Sequence, residues 1–259
     1  MVGLPETAVK ESKDRVRSAI LNSQFDFPAR RITINLAPAD LPKEGGRFDL
    51  PIALGILAAS SQIPAAELAH LEFAGELALS GELRCIQGIL PMMLQTHRAQ
   101  RTLVIPTENI AEALLVKDAR VLAGDHLLAI TGHLTGSRRL QYETAVTPTA
   151  PDMPFPDLAD VRGQQHARRA LEIAAAGGHN LIMLGPPGTG KSLLANRLPG
   201  ILPEMSDTEA LETATIASIS GQPVDASYWK RRTFRAPHHT ASAVALVGGG
   251  SSPAPGEIS

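Results

Sequence analysis

Several features are scarce in this sequence, and each scarcity excludes a class of protein. Cys85 is the single cysteine among 259 residues, so no internal disulfide can form, which fits a reducing compartment. No apolar run approaches the roughly 20 residues that a membrane-spanning helix needs. The N-terminus has neither the basic region nor the apolar core of a signal peptide. We therefore expect a cytoplasmic protein with no membrane contact.

Aromatic residues and net charge are also low. Aromatic residues make up 3% of the chain, so its cores must be built mainly from Ala, Leu, Ile and Val. The 24 basic and 26 acidic residues nearly cancel. Any contact with nucleic acid must therefore come from a local patch rather than from the field of the whole protein. The length allows two domains, each with a core of its own.

The most informative stretch is residues 179–196, which read HNLIMLGPPGTGKSLLAN. Residues 181–184 form an unbroken apolar run, which predicts a strand buried on both faces of a parallel sheet. Residues 185–192 fit the pattern G-x-x-x-x-G-K-S. A helix is predicted from Lys191 to about Leu198, with its positive dipole end at the loop. This order of strand, glycine loop and helix predicts a nucleoside triphosphate site, whereas a chance glycine-rich turn explains neither the strand nor the Lys-Ser pair.

The motif gives its residues distinct roles. Its glycines let backbone N–H groups turn toward a phosphate chain. Lys191 is the catalytic candidate because it would reach the β- and γ-phosphates, and the Ser192 hydroxyl would ligate the Mg²⁺ of MgATP. The predicted ATP-binding residues are Gly185, Pro186, Pro187, Gly188, Thr189, Gly190, Lys191, Ser192 and Leu193.

Residues 1–142 are predicted to form a mixed α/β domain. In residues 7–22, Val9, Val16, Ala19 and Ile20 fall near one face of a helix. Lys10, Lys13, Arg15 and Arg17 are assigned to its solvent face. Further helices are predicted over about 49–60, 88–100, 109–116 and 125–133, with strands over 31–36, 102–105, 120–122 and two runs within 71–86 joined at Ser80-Gly81.

Residues 143–157 are rich in proline, which predicts an extended linker between two domains. Residues 158–259 are then the second domain. Its first predicted helix has Ala167, Ala170, Leu171 and Ala174 on one face and stops at Gly177-Gly178. A later helix is predicted to run to about residue 218, capped by Ser206 or Asp207.

One local stretch combines positive charge with aromatic rings, the sequence YWKRRTFR at residues 228–235. Stacking faces beside cations are what single-stranded nucleic acid requires. In the alternative interpretation, Trp229 and Phe234 pack inward while the cations are solvated or touch a neighbouring subunit. Both interpretations remain open from the sequence. The candidate DNA contacts are Lys230, Arg231, Arg232 and Arg235.

Adjacent histidines follow at His238 and His239. Their side chains are expected to point in different directions, and no cysteine or acidic residue lies at the spacing of a metal site. A structural or nucleotide-sensing role is therefore favoured over metal ligation.

Long phrases in both halves of the sequence carry a resemblance to a known family. In the first half these are VGLPETAVKES at 2–12, NLAPADLPKEGGRFDLPIALGIL at 35–57 and GELALSGELR at 75–84. In the second half they are FRAPHHTASAVALVGGG at 234–250 and PGEIS at 255–259. The first set resembles the ComM/YifB group of magnesium-chelatase-like proteins, and the second set is similar to a signature of the magnesium-chelatase AAA+ module. The resemblance implies an α/β protein with a Lon-protease-like (ribosomal S5-like) domain followed by an incomplete P-loop AAA+ domain. It also implies that residues 161–165 line the adenine pocket.

The likeness to Lon-type proteases raises a proteolysis hypothesis, which the residues oppose. Lon-type enzymes pair a serine nucleophile with a lysine base. Asp49 falls at the position of that serine, and Leu90 at the position of that lysine. Because leucine cannot accept a proton, we expect a catalytically silent platform or interaction module.

No apolar strand ending in acidic residues, the Walker B element, follows Ser192. In the family this element comes after the PGEIS phrase, followed by sensor residues and an arginine finger, and further strands precede the VGLP phrase. We therefore expect a fragment of a protein about twice as long, which hydrolyses ATP poorly by itself.

The resemblance implies a function for the full-length protein. It implies a ring, expected to be a hexamer, that uses ATP and Mg²⁺ to move along single-stranded or branched DNA. The implied task is branch migration by a helicase in natural transformation, or competence. One alternative is a chelatase-type motor that remodels a partner enzyme inserting Mg²⁺ into a porphyrin, and another is a nucleotide-gated scaffold.

Overall fold

The computed structural model describes residues 7–38, 43, 45–144, 155–224, 228–249 and 254–258. The chain divides into two compact units, one of residues 1–147 with 217–224 and one of residues 148–216 with 225–259. Most of the predicted linker, residues 145–154, lies outside the described residues.

The secondary structure is mixed α/β. The strands are β1 (Leu71–Phe73), β2 (Glu76–Leu77), β3 (Leu83–Arg84), β4 (Thr102–Pro106) and β5 (Val121–Gly124). The helices are α1 (Thr7–Asn22), α2 (Asp49–Ala59), α3 (Ile89–Arg98), α4 (Ile110–Ala113), α5 (Leu127–Leu134), α6 (Gln165–Gly177), α7 (Lys191–Ala195), α8 (Leu198–Ile201), α9 (Asp207–Ile219) and α10 (Ala243–Val247).

The core of the first unit forms around α1 and α2. Val16, Ala19 and Ile20 are buried on the inner face of α1, as the apolar period predicts. The side chains of Val9 and Lys10 lie outside the described residues. Helix α2 is apolar nearly all round, so it lies inside the unit with Leu50 and Leu54 fully buried.

A three-stranded parallel sheet and a hairpin complete the first unit. The sheet has the order β1-β4-β5, with Leu71 opposite Thr102 and Leu103 opposite Val121. Strands β4 and β5 are buried along their whole length, which explains the apolar sequences at 103–106 and 121–124. Strands β2 and β3 are antiparallel. The predicted hairpin at Ser80-Gly81 is confirmed, although the run before it divides between two sheets.

Three expectations for the first unit were wrong. Residues 31–36 form no strand, because among the described residues no neighbouring chain forms a ladder along them beyond a single bridge at Asn35. Arg15 is not simply a solvated cation, because it pairs with the buried Asp49. The predicted helix over 109–116 shortens to α4, after which the Leu115 and Val116 N–H groups bond three residues back instead of four.

The second unit has a smaller apolar core. Leu158, Val161, Leu171 and Leu194 are buried together between α6 and α7. Helix α6 ends as predicted, with Gly178 in the left-handed conformation at φ 62°. Helix α9 begins at a capping box in which the Ser206 N–H donates to Glu209 and the Glu209 N–H donates to the Ser206 hydroxyl. No described helix combines the length and apolarity needed to cross a membrane.

Candidate nucleotide-binding site

The glycine loop turns where its sequence requires turns. Gly188 and Gly190 have φ values of 80° and 86°, in the left-handed region that favours glycine. A Cβ atom added at Gly188 would meet nothing within 4 Å, so the need for glycine there is conformational and not a matter of space. The loop passes directly into α7 at Lys191, as the motif predicts.

The Lys191 ammonium lies against its own loop. Its Nζ atom donates to the carbonyls of Gly185 and Pro186 at 2.8 and 2.7 Å, and lies 3.3 Å from the Thr189 hydroxyl. The Thr189 hydroxyl itself donates to the Pro186 carbonyl at 2.9 Å. These acceptors are neutral, and a phosphate oxygen would make a stronger, charge-assisted bond to the same ammonium. The lysine is thus placed to exchange loop carbonyls for an anion.

A cleft of about 380 Å³ opens beside this lysine. That volume lies within the roughly 300–1,000 Å³ range of small-molecule sites. Small side chains on α6 form one wall, and the apolar run with the loop forms the other. The lining residues are Gln164, Ala167, Ala170, Leu181, Ile182, Met183, Leu184, Gly185, Pro186, Thr189, Lys191 and Leu194.

Four of the predicted ATP-binding residues line this cleft, namely Gly185, Pro186, Thr189 and Lys191. The others are outside the lining but contiguous with it along the loop and the first turn of α7. Ser192 is exposed in that turn, next to Lys191, where its hydroxyl could ligate a phosphate-bound Mg²⁺. The remaining predicted residues outside the lining are Pro187, Gly188, Gly190 and Leu193.

The residues implied for the adenine pocket separate into two groups. Val161 is buried in the small core of the second unit. Gln164 lines the cleft and its side-chain amide donates to the Thr189 carbonyl at 2.8 Å. The sequence contained no signal for this contact, because the two residues are 25 positions apart and belong to different elements.

The predicted buried strand at residues 181–184 was wrong. Ile182 and Leu184 are 80% and 86% exposed, while Met183 packs against the small core. A strand buried on both faces needs neighbouring strands, and the described part of the second unit contains none beside this run. The parallel sheet of this α/β structure lies in the first unit instead.

The helix after the loop is shorter than expected. It was predicted to reach about Leu198, but α7 ends at Ala195 and α8 begins after a turn at Asn196-Arg197. Pro199 explains the break, since it has no N–H to donate to the carbonyl four residues before it.

The basic-aromatic stretch has a geometry that neither sequence interpretation foresaw. Lys230 lies 2.7 Å from Asp207, and Arg232 lies 3.1 Å from Glu209. Arg231 stacks on the ring of Phe155 at 4.0 Å and Arg235 lies 3.6 Å from Glu257. Tyr228 and Phe234 are exposed, so the rings do not all pack inward. Each of these cations therefore has a local partner within the chain.

The hydrogen bonds and ion pairs of this stretch shift the pKa of two groups, Glu209 and Lys230. The pKa of the Glu209 carboxyl is lowered by hydrogen bonds from the Ser206 N–H and hydroxyl and by Arg232. The pKa of the Lys230 ammonium is raised by its hydrogen bond to Asp207. The stretch is consequently tied to the first turn of α9.

The two adjacent histidines do not diverge as expected. The rings of His238 and His239 lie 4.2 Å apart at a tilt of 38°, and His238 Nδ1 is 2.7 Å from the Thr240 hydroxyl. Within the described residues, no group of three or more His, Cys, Asp or Glu side chains is arranged to hold a metal ion.

A GKS loop with its lysine at a nucleotide-sized cleft, in an α/β structure, defines a P-loop protein of the AAA+-like class. The comparisons agree with this class. The family described as "Magnesium chelatase, subunit ChlI" matches residues 157–259, and the family described as "Subunit ChlI of Mg-chelatase" matches residues 1–109.

Curated relatives align along the whole chain. It is 54% identical over 264 aligned residues to Competence protein ComM of Haemophilus influenzae, with 100% of this chain and 52% of that protein covered. It is 54% identical over 263 residues to an uncharacterized protein, YifB, of Salmonella typhimurium, with 100% and 51% covered. An uncharacterized protein of Mycobacterium tuberculosis is 43% identical over 262 residues, with 100% and 52% covered.

The chain thus belongs to the ComM/YifB family of magnesium-chelatase-like proteins. It spans about half the length of the curated relatives it matches.

Proposed function

We propose that this chain is the ATP-binding part of an AAA+ ATPase that acts on DNA as a branch-migration motor. The observation that carries ATP binding is the Lys191 ammonium, held by neutral loop carbonyls at the edge of a nucleotide-sized cleft. The DNA role draws support from a relative named as a competence protein, since competence is the uptake of external DNA. In this proposal the full-length protein is a cytoplasmic hexameric ring.

Different residues in and beside the cleft bind different parts of MgATP. Lys191 exchanges its loop carbonyls for the β- and γ-phosphates, and the Ser192 hydroxyl completes the coordination of Mg²⁺, which neutralises phosphate charge. The small side chains of Ala167 and Ala170 leave room for the base against the apolar run. None of the described residues that line the cleft is a carboxylate, the group that would activate a water, and we expect the chain to bind ATP and hydrolyse it slowly.

DNA would be held at the basic-aromatic stretch. Ion pairs at the surface are weakened by solvent screening, so a phosphate can compete with Asp207 for Lys230 and with Glu209 for Arg232. The exposed rings of Tyr228 and Phe234 supply stacking faces beside these cations.

A salt titration of DNA binding tests this part of the proposal. Replacing Lys230, Arg231 and Arg232 by glutamine should weaken binding to forked and four-way DNA. It should also flatten the plot of log affinity against log salt by about 0.7–0.9 for each phosphate that the variant no longer neutralises. The matched control replaces Lys13, Arg17 and Lys117, which are exposed cations of the first unit. Equal reductions in both triple variants would show that the stretch is not the DNA site.

A second candidate is a chelatase-type motor, which the matching family description favours. Such a protein would remodel a partner enzyme that inserts Mg²⁺ into a porphyrin. Binding to a porphyrin-handling subunit without salt-sensitive DNA binding would select this function over the first. A chain that binds ATP but neither DNA nor such a partner would be a nucleotide-gated scaffold.

A further inference from the structure

The side chain of Gln164 joins the two sides of the nucleotide cleft. It projects from the start of α6, and its Nε2 atom donates to the Thr189 carbonyl of the glycine loop at 2.8 Å. A Cβ atom built on Gly190 would lie 3.5 Å from the same nitrogen. The amide of Gln164 therefore lies directly against the peptide bond between Thr189 and Gly190.

The backbone at Gln164 is held in an uncommon conformation. Gly163 and Gln164 have φ values of 71° and 56°, so a non-glycine residue occupies the left-handed region. Gln164 stands at the N-cap position of α6, yet its side chain makes no capping bond to that helix. Its carbonyl instead accepts the bond from the Arg168 N–H that begins the helix. The residue is thus fixed to α6 by its backbone and to the loop by its side chain.

A held carbonyl fixes the neighbouring N–H group. In a trans peptide the C=O and the following N–H point in opposite directions. When Gln164 holds the Thr189 carbonyl, it therefore also sets the direction of the Gly190 N–H. That group belongs to the loop whose backbone amides the motif offers to phosphate.

We propose that Gln164 is a positioning residue that pre-orients the Thr189–Gly190 peptide for the phosphate chain of ATP. This inference rests on the proposed ATP binding and adds a residue from outside the motif to the site. The bond links α6, on the base side of the cleft, to the loop on the phosphate side. Affinity gained this way comes from a smaller ordering cost when the nucleotide binds.

The test compares two glutamines that have the same backbone φ angle. Gln164→Met keeps the length of the side chain and removes its donor. Gln100→Met is the matched control, because Gln100 also has a φ of 56° and its amide also donates to a carbonyl, that of His97 in the first unit. ATP binding to the whole chain is measured by competition with a fluorescent ATP analogue, and thermal unfolding is measured without nucleotide.

We expect Gln164→Met to weaken ATP binding about fivefold, the effect of one hydrogen bond of ordinary net strength. Gln164→Asn should weaken it equally, because its amide is too short to reach Thr189. Gln100→Met should bind as the unaltered chain does. ATP affinity unchanged in Gln164→Met, in a chain that does bind ATP, would overturn this inference alone. No ATP binding by the unaltered chain would overturn the proposed function and this inference with it.

A second measurement distinguishes a loss of positioning from a general loss of stability in the variant. If Gln164→Met unfolds at a lower temperature, amide chemical shifts are compared well below both unfolding transitions. The Gly190 amide resonance should then move relative to the unaltered chain, because the lost bond to the Thr189 carbonyl changes the same peptide unit, while resonances in the middle of α6 stay in place. An unchanged Gly190 resonance would overturn the positioning role.

Discussion

The buried carboxylate of Asp49 holds the side chain of Arg15 and the backbone of Leu77 in place. This carboxylate is fully buried, and it accepts hydrogen bonds from Arg15 at 2.8 and 3.2 Å and from the Leu77 N–H at 3.3 Å. The hydrogen bond to Asp49 raises the pKa of the Arg15 guanidinium, which stays charged. Leu90, predicted from the sequence to fall where Lon-type enzymes carry a lysine, is fully buried as well. The Asp49 carboxylate is thus taken up by structural hydrogen bonds, and the role of the first unit as a platform stays a prediction.

Removing the charge of Asp49 should destabilise the first unit. Asp49→Asn leaves Arg15 without its carboxylate in a largely buried setting, at an expected cost of about 2–4 kcal/mol. Hydrogen exchange of the α2 amides measures the loss. The exposed Asp14→Asn on the same helix as Arg15 is the control. A cost below about 0.5 kcal/mol, the range of ordinary surface substitutions, would show that the pair is dispensable.

The secondary-structure elements show which patterns could be predicted. Helices α1 and α6 were predicted because a helix satisfies its backbone locally and its apolar period is visible in the sequence, and α2 was predicted from a nearly continuous apolar run. Strands β4 and β5 were predicted and lie beside one another. The runs at 31–36 and 181–184 were wrongly predicted as strands, since a strand depends on neighbours that local pattern does not reveal.

The exposed apolar run offers a direct check on this explanation. Ile182→Thr should change the free energy of unfolding by less than about 0.5 kcal/mol, because the side chain is already exposed. Leu171→Ala, in the buried core of the same unit, should cost about 2–5 kcal/mol. Chemical denaturation followed by the fluorescence of Trp229 compares the two variants. A large loss in Ile182→Thr would mean that the run is buried in solution.

The capping box of α9 provides another prediction at this scale. Ser206→Ala removes the hydroxyl that accepts from the Glu209 N–H and should cost about 1 kcal/mol of stability in the second unit. Thermal unfolding measures it, with Ser242→Ala at the start of the short α10 as a comparison of a second cap. A stability equal to that of the unaltered chain would contradict the assignment of Ser206 as the cap.

The same box implies a dependence on pH. The pKa of Glu209 is lower in the folded chain than its ordinary value, so its carboxylate contributes stability above the ordinary pKa. This contribution disappears as the pH falls through the lowered pKa. The unaltered chain should therefore lose more stability on acidification than Glu209→Gln does. An equal loss of stability on acidification in the two proteins would contradict this effect.

At the scale of the whole molecule, sequence motifs predicted more of the protein's family and site than hydrophobic periodicity did. The GKS loop and the long phrases predicted both the family and the position of the cleft, because they fix backbone conformation and chemistry over consecutive residues. The contacts between Gln164 and Thr189 and between Lys230 and Asp207 were not predictable. Each joins residues that are distant in the sequence and come into contact only in the folded chain. The chain divides into two units, and the assignment of one as a platform and the other as the ATP-binding part stays a prediction.

The central claim is that the cleft beside Lys191 binds ATP, and calorimetric titration of the chain with MgATP tests it most directly. The unaltered chain should show saturable binding. Lys191→Ala should bind about 10- to 100-fold more weakly, as expected when charge-assisted bonds to phosphate are removed. Thermal unfolding without nucleotide should be nearly the same for both. Equal affinity in the two proteins, or no binding in either, would contradict the claim.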